Sequence, residues 1–400
     1  MSSPAGSRRV LWVDHVRRIL GGAEVNLVEL LTSGQPPAPW NSTVACSPDG
    51  PLHTALAVAA VDRRAFGFDD ALGGLRLVGT RFPLAGAIRS LRALSRARTA
   101  LRQLIAEVRP DVVVSCTNKD HFAVWPACRA AGVPSVWWVN DIVSGDFFPW
   151  AALQAFRHQA RRGADRLVVV SEYARQALLR LGLAPERVVA IHNGIPLERY
   201  CRHPRGTLRR MLNLPENELL IGVLGRFTPW KGQELFVQLA EAWCRDSARG
   251  HFALIGHAFN EDQPFEARLR EFVRERKLRN RVHFVPFQRE VAAGLSDLDL
   301  LLHTSLKPEP FGRVIIEAMA VGVPVIAAKA GGVPEIIDHW RNGLLAEPGD
   351  VASYRECLAR VVQDDALRAT LAEAGRETVT RRFPVTRVRT DFDRLFEGLR

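Results

Sequence analysis

Two doubly wound α/β domains are the fold this sequence predicts, from its length, its recurring short apolar runs and the helix-period segments between them. Four hundred residues exceed what one core usually fills and suit two domains, each burying its own interior. A chain 47% hydrophobic and 24% charged has a globular composition, which excludes the disordered and fibrous classes. Strand-like runs fall at 10–13, 112–114, 136–139, 167–170, 219–224, 252–255, 282–285, 298–302 and 323–326. Such runs alternating with helices mark parallel sheets covered on both faces.

The first run follows Arg8-Arg9 and stops at Asp14, too soon for the apolar core of a signal peptide, so it reads as a strand. Nothing in the sequence approaches the eighteen or so apolar residues of a spanning helix. A cytoplasmic chain is expected, one that meets any membrane only from its surface. Gly21-Gly22 then separates the strand from a helix beginning near Ala23. That position suits a backbone approaching a diphosphate, and equally an ordinary turn.

Residues 81–109 hold seven arginines and one acid. At helical spacing, Ile88, Leu91, Leu94, Leu101, Leu104, Ile105 and Val108 share one face, with Arg89, Arg92 and Arg96 opposite. The basic helix over 87–109 suits either an anionic membrane surface or a solvated face on a packed helix. His121 lies at a helix start, as a cap, a surface residue or an acceptor contact. Trp125, Trp137, Trp138, Phe147, Phe148 and Trp150 could form a platform for a sugar or lipid, or fill the core. The six cysteines form no C-x-x-C pair, so neither a zinc site nor a disulfide framework is expected.

The turn residues after His192 and the fresh strand from Leu219 place the domain join within 195–215. The resulting division is 1–200, 201–380, and a terminal helix at 381–400. Val388, Phe392, Leu395 and Phe396 give that helix an apolar stripe able to cross back to the first domain.

The chemistry concentrates in the second half. Glu309-Pro-Phe-Gly-Arg313 reads as a loop running into a helix that contains Glu317. Phe311, Gly312 and Arg313 would offer amides at a helix N-terminus, beyond the carboxyl end of a strand, where open α/β sheets bind phosphate. By spacing alone, Glu317 could instead pair with Arg313 on a solvated face. Gly225-Arg226 through Lys231-Gly232 ends another strand, with an arginine able to fork two phosphate oxygens and a lysine adding charge. Ala330-Gly-Gly-Val-Pro-Glu335 is a third glycine turn. No G-x-G-x-x-G follows a strand and no P-loop occurs, so nicotinamide and flavin sites are unsupported.

Taken together, Ser171-Glu-Tyr173, Asn193-Gly194, the G-R-x-x-x-x-K-G segment at 225–232, the E-x7-E pair Glu309 and Glu317, and the turn at 330–335 resemble the retaining family 4 glycosyltransferases (glycosyl transferases group 1) of the GT-B fold. The match is close over 165–349 and looser over 1–164. The resemblance implies two Rossmann-like domains facing a central cleft: an N-terminal acceptor domain and a C-terminal donor domain. It implies no cofactor and no metal, with a UDP- or GDP-sugar as co-substrate. Arg226 and Lys231 would meet the diphosphate, with amides from Phe311 and Gly312, while Glu317 would hold the ribose and Glu309 the transferred sugar. The 282–287 segment, including Val285, would border the base, and Gly21 and Gly22 would lie near the phosphates. Where many relatives carry a histidine after the 136–139 strand, this chain has Asn140-Asp141, which leaves the acceptor roles of His121, Asn140 and Asp141 open.

The expected activity is metal-independent, retaining transfer of a hexose-type sugar, in cell-surface polysaccharide, lipopolysaccharide or glycolipid synthesis. A small-molecule acceptor is the alternative, followed by a GT-B epimerase or phosphorylase. The net charge of +11 fits anionic partners, an anionic membrane surface among them. It also motivates a nucleic-acid-binding module, but no binding motif supports one and no nucleic-acid partner is expected.

Overall fold

The computed structural model describes residues 7–17, 21–68, 84–247, 249–259, 262–288 and 290–399, and for 84–91 the backbone alone. The chain divides into two compact units, Met1–Gly194 with Val385–Arg400, and Ile195–Pro384.

The first unit is built on seven parallel strands: β1 (Arg9–Asp14), β2 (Asn41–Cys46), β3 (Asp62–Ala65), β4 (Val112–Ser115), β5 (Ser135–Val139), β6 (Arg166–Val169) and β7 (Val188–Ala190). Their order is β3-β2-β1-β4-β5-β6-β7, so the winding reverses between β1 and β4. All five residues of β5 are buried, because helices cover both faces and an unbroken apolar run is what such a strand needs. Alternate side chains enter opposite layers. Trp138 meets Trp12 and Phe392, at centroid distances of 6.0 Å (Trp12 to Trp138) and 5.2 Å (Trp138 to Phe392). Trp137 faces the other way, onto Phe156 at 5.6 Å. The six aromatics read as a possible platform are therefore not one surface: Trp137 and Trp138 belong to separate core layers, and Trp150 is 75% exposed.

The second unit repeats the plan with β8 (Leu220–Leu224), β9 (His251–Ile255), β10 (Val282–Val285), β11 (Leu300–His303), β12 (Val325–Ala328) and β13 (Leu344–Ala346). The order is β10-β9-β8-β11-β12-β13, again parallel. Here the reversal lies between β8 and β11, and the segments at 225–232 and 304–312 leave the carboxyl ends of those two strands. Ligands in open α/β sheets bind at such a switch point.

Several bounds differ from the sequence reading. β11 and β12 each begin two residues later than the apolar runs at 298 and 323. Leu298 donates its amide to Leu295 (2.9 Å) and Val323 to Ala318 (2.9 Å), so both residues close a preceding helix before the ladder starts. The second unit begins at Ile195 and ends at Pro384, outside 201–380 on both sides. The terminal helix is Val385–Glu397, starting after Pro384 and not at 381, because Arg381 and Arg382 complete the helix Asp365–Arg382. Val385, Val388, Phe392 and Phe396 enter the core layer of the first unit.

The basic segment forms the helix Leu84–Val108. Residues 81–83, and the side chains of Ile88, Arg89 and Leu91, lie outside the described set. From Arg92 onward, Leu101, Leu104 and Ile105 are buried, while Arg92 and Arg96 are exposed.

Candidate active site

Two loops at the second switch point are stitched together by their backbones. After β8 the chain turns through Gly225 and a short 3-10 segment, Pro229–Lys231, and Gly232 opens the helix Gln233–Asp246. Gly232 has φ +72, and a Cβ there would stand 1.9 Å from the Thr304 carbonyl oxygen, so only glycine fits. Thr304 in turn donates its hydroxyl to the Lys231 carbonyl (3.0 Å), and the Leu306 amide donates to Trp230 (2.8 Å).

These contacts deliver Lys231 to Glu309. The ammonium lies 2.7 Å from Glu309 Oε2, which also accepts from Ser305 Oγ (3.1 Å) and stands 3.3 Å from His303 Nε2. Burial alone would raise the Glu309 carboxyl, but the Lys231 charge, joined by His303, holds it well below the usual carboxylate range. Among the described residues the other oxygen, Oε1, makes no hydrogen bond. The turn at 330–335 supports this loop from behind. Gly332 donates its amide to the Glu309 carbonyl (2.8 Å), and a Cβ on Gly331 would sit 2.1 Å from that oxygen.

Gly312 caps the helix Arg313–Ala320 and its carbonyl accepts from the Ile315 amide (2.9 Å), while helix geometry gives the amides of Arg313 and Val314 no intrahelical acceptor. Phe311 packs its ring on Phe383 at 5.6 Å. Arg313 and Glu317 do pair, with Nε to Oε1 at 2.6 Å, but not on a solvated face: their side chains are 11% and 8% exposed. Tyr200 joins them through its hydroxyl. Each signature carboxylate thus has one oxygen pinned by the protein and one left over. Arg226 rises from the same loop as Lys231 with its guanidinium exposed and unpaired among the described residues.

Other candidates fall elsewhere. Val285 is 1% exposed and its carbonyl accepts from Gly256 (2.9 Å), so its side chain packs into the unit and is not presented to a base. The accessible ring in that segment is Phe287, 53% exposed. In the first unit, Gly21 caps the helix Gly22–Thr32 and spends its amide on Glu24 Oε2 (2.7 Å), which removes it as a phosphate donor. Gly22 has open space where a Cβ would be. His121 is neither cap nor surface residue. Thr117 is the cap, and the His121 ring is wholly buried, stacked on Trp137 at 4.8 Å and 2.7 Å from Ser115 Oγ. Burial pushes its pKa down to about 3, and a ring so enclosed cannot touch an acceptor. Asn140 is half-buried, with Oδ1 unpartnered among the described residues, and Asp141 accepts from Asn118 Nδ2 (2.9 Å) at the ends of β4 and β5.

The sequence reading missed an acidic group at the first switch point. Asp14 and Asp120 are fully buried, with His15 Nδ1 3.0 Å from Asp120 Oδ1, and Asp14 Oδ2 has no partner among the described residues. Burial, then Asp120 and Glu24, raises the Asp14 carboxyl well above the ordinary range. Its signal was Asp14 closing an apolar strand run. His303, Ser305 and Tyr200 were also missed, and only the strand-end position of His303 hinted at a role.

Comparison with known proteins decides the family. A model of the glycosyl transferases group 1 matches residues 204–378, and a Glycosyltransferase Family 4 model matches 20–199. The chain belongs to the GT-B glycosyltransferases of the group 1, family 4 type. Its fold agrees with Anabaena HepE, solved in complex with UDP and glucose, at a TM-score of 0.84 and 26% identity, covering 98% of this chain and 100% of that one. Sucrose-phosphate synthase from Thermosynechococcus elongatus shares the fold at a TM-score of 0.78 and 22% identity, over 98% of this chain and 99% of that one. A D-inositol 3-phosphate glycosyltransferase of Catenulispora acidiphila is 32% identical over 53% of this GT-B chain and 52% of its own length. N-acetyl-alpha-D-glucosaminyl L-malate synthase of Bacillus anthracis is 28% identical over 52% and 53%. The chain thus spans about half the length of the curated relatives it matches.

Proposed function

We propose that this protein is a retaining, metal-independent glycosyltransferase that moves a hexose-type sugar from a nucleotide diphosphate to an acceptor. The observation that carries the reading is the paired arrangement at the second switch point: Lys231 beside Glu309, and Glu317 pinned on the helix that Gly312 opens. Departure of a nucleotide diphosphate builds negative charge on the leaving oxygen while the sugar becomes cation-like. Lys231, held by Glu309, and the amides of the helix terminus answer the first charge from fixed positions, and the exposed Arg226 guanidinium joins them, in the place a metal ion would otherwise take. Glu309 Oε1 accepts a hydroxyl of the transferred sugar, and Glu317 Oε2 a ribose hydroxyl. The acceptor's oxygen then bonds to the anomeric carbon on the face the nucleotide leaves, and the departing phosphate takes the acceptor's proton. The solved complexes of HepE with UDP-glucose and with UDP support a uridine nucleotide as the first donor to try.

For the acceptor, a cell-surface glycan or glycolipid remains the first reading. A small molecule is favoured by a specific observation: several relatives are named for glycosylation of inositol phosphate or malate. The test is a panel of UDP- and GDP-sugars scored for nucleotide release, with and without EDTA, alone and with each acceptor class. Release from one donor that EDTA leaves unchanged is expected. Strict dependence on an added divalent cation, or no release from any donor, would contradict the proposal.

A further inference from the structure

The second signature carboxylate is held by a residue outside every motif. Tyr200 lies just after the start of the second unit, 7% exposed, and its hydroxyl donates to Glu317 Oε1 at 3.2 Å. The same hydroxyl accepts from Arg313 Nη2 at 2.9 Å, while Arg313 Nε donates to the same carboxylate oxygen at 2.6 Å. Three side chains close a ring of hydrogen bonds in which one oxygen of Glu317 is saturated. The guanidinium stands 5.8 Å from the centre of the Tyr200 ring, so the phenol restrains the arginine as well as the acid. Among the described residues, Glu317 Oε2 makes no hydrogen bond.

We propose that Tyr200 is a positioning residue: with Arg313 it locks the Glu317 carboxylate so that a single oxygen, Oε2, is presented to the ribose hydroxyls of a nucleotide. This rests on the donor reading above and adds what sets the affinity for the nucleoside. A carboxylate on a free side chain would rotate and share both oxygens with water, and fixing it removes that entropy before the ligand arrives. Arg313 also offsets the negative charge, so Glu317 accepts from a hydroxyl without repelling the neighbouring diphosphate. A buried tyrosine that simply satisfies its hydroxyl would show the same distances, so the experiment must read ribose recognition itself.

The test uses calorimetric binding of UDP, 2′-deoxy-UDP, GDP and 2′-deoxy-GDP to the full chain. The wild type is expected to favour the ribonucleotide of its preferred base by about tenfold, the size of one charge-assisted hydrogen bond. Tyr200→Phe keeps the ring and removes the hydroxyl, and should collapse that preference to within about twofold by weakening the ribonucleotide alone. Should that variant fold poorly, Arg313→Lys carries the same comparison, since it keeps the charge but loses the fork joining both partners. An unchanged ribo-to-deoxy ratio, including a parallel loss for both nucleotides, overturns the positioning role while leaving the donor reading intact. Absence of binding by all four nucleotides to the wild type overturns both.

Discussion

At the scale of single residues, the half-locked carboxylates give the sharpest expectations. Glu309→Gln keeps the size of the side chain and removes the charge that anchors Lys231. Transfer should fall by about a hundredfold or more, the size of losing one preorganised group, with the thermal melt little changed, as steady-state kinetics and circular dichroism would show. His121 gives a prediction about stability. Its pKa falls from the ordinary 6.5 to about 3 in the folded chain, so between those values the unfolded state binds the extra proton. Stability should therefore rise with pH across that interval and be fully recovered above it. His121→Asn should flatten the slope by about one proton relative to wild type in urea titrations, whatever its effect on absolute stability. The raised carboxyl of Asp14 works in the opposite direction, which is why the difference between the two proteins is the quantity to read. An identical slope in both would mean that His121 titrates normally.

At the scale of elements, the site depends on close backbone approaches more than on the side chains the motifs advertise. Gly331 has φ +67 and leaves no room for a Cβ beside the Glu309 carbonyl. Gly331→Ala should cost about 1–3 kcal/mol in chemical denaturation and displace Glu309, lowering transfer together with stability. Retention of both would leave that turn without a role in the site. This dependence also explains what the sequence could reveal. Strands buried on both faces announce themselves as unbroken apolar runs, as in β5 and β8, and glycine turns after them locate the switch point. Three of the four edge strands do not: β3 is Asp-Arg-Arg-Ala, and β7 and β13 have three residues each. Pairing of Lys231 with Glu309, 78 residues apart, and capture of Glu317 by Tyr200 come from the fold alone and have no local signal. Conversely, Gly21 matched a turn pattern, yet its amide already serves the helix cap, and Val285, expected to border the base from the resemblance of its segment, has its side chain buried.

At the scale of the whole molecule, the last helix is part of the first unit's core and not an appendage. Phe392 is fully buried, with its ring 5.6 Å from Trp12 and 5.2 Å from Trp138. Phe392→Ala should destabilise that unit by about 3–5 kcal/mol, with an earlier tryptophan fluorescence transition; an unshifted transition would mean that the helix is dispensable. Both units place polar groups at the carboxyl ends of the strands flanking their switch points, but among the described residues only the second sets a lysine against carboxylates left half open. The central claim is that this charge stabilises the departing nucleotide, so the most direct measurement is donor turnover by Lys231→Ala beside the wild type, with nucleotide affinity measured in parallel. The account predicts a fall in kcat of about a hundred- to a thousandfold that exceeds any loss of affinity. A kcat within a few-fold of wild type would contradict it.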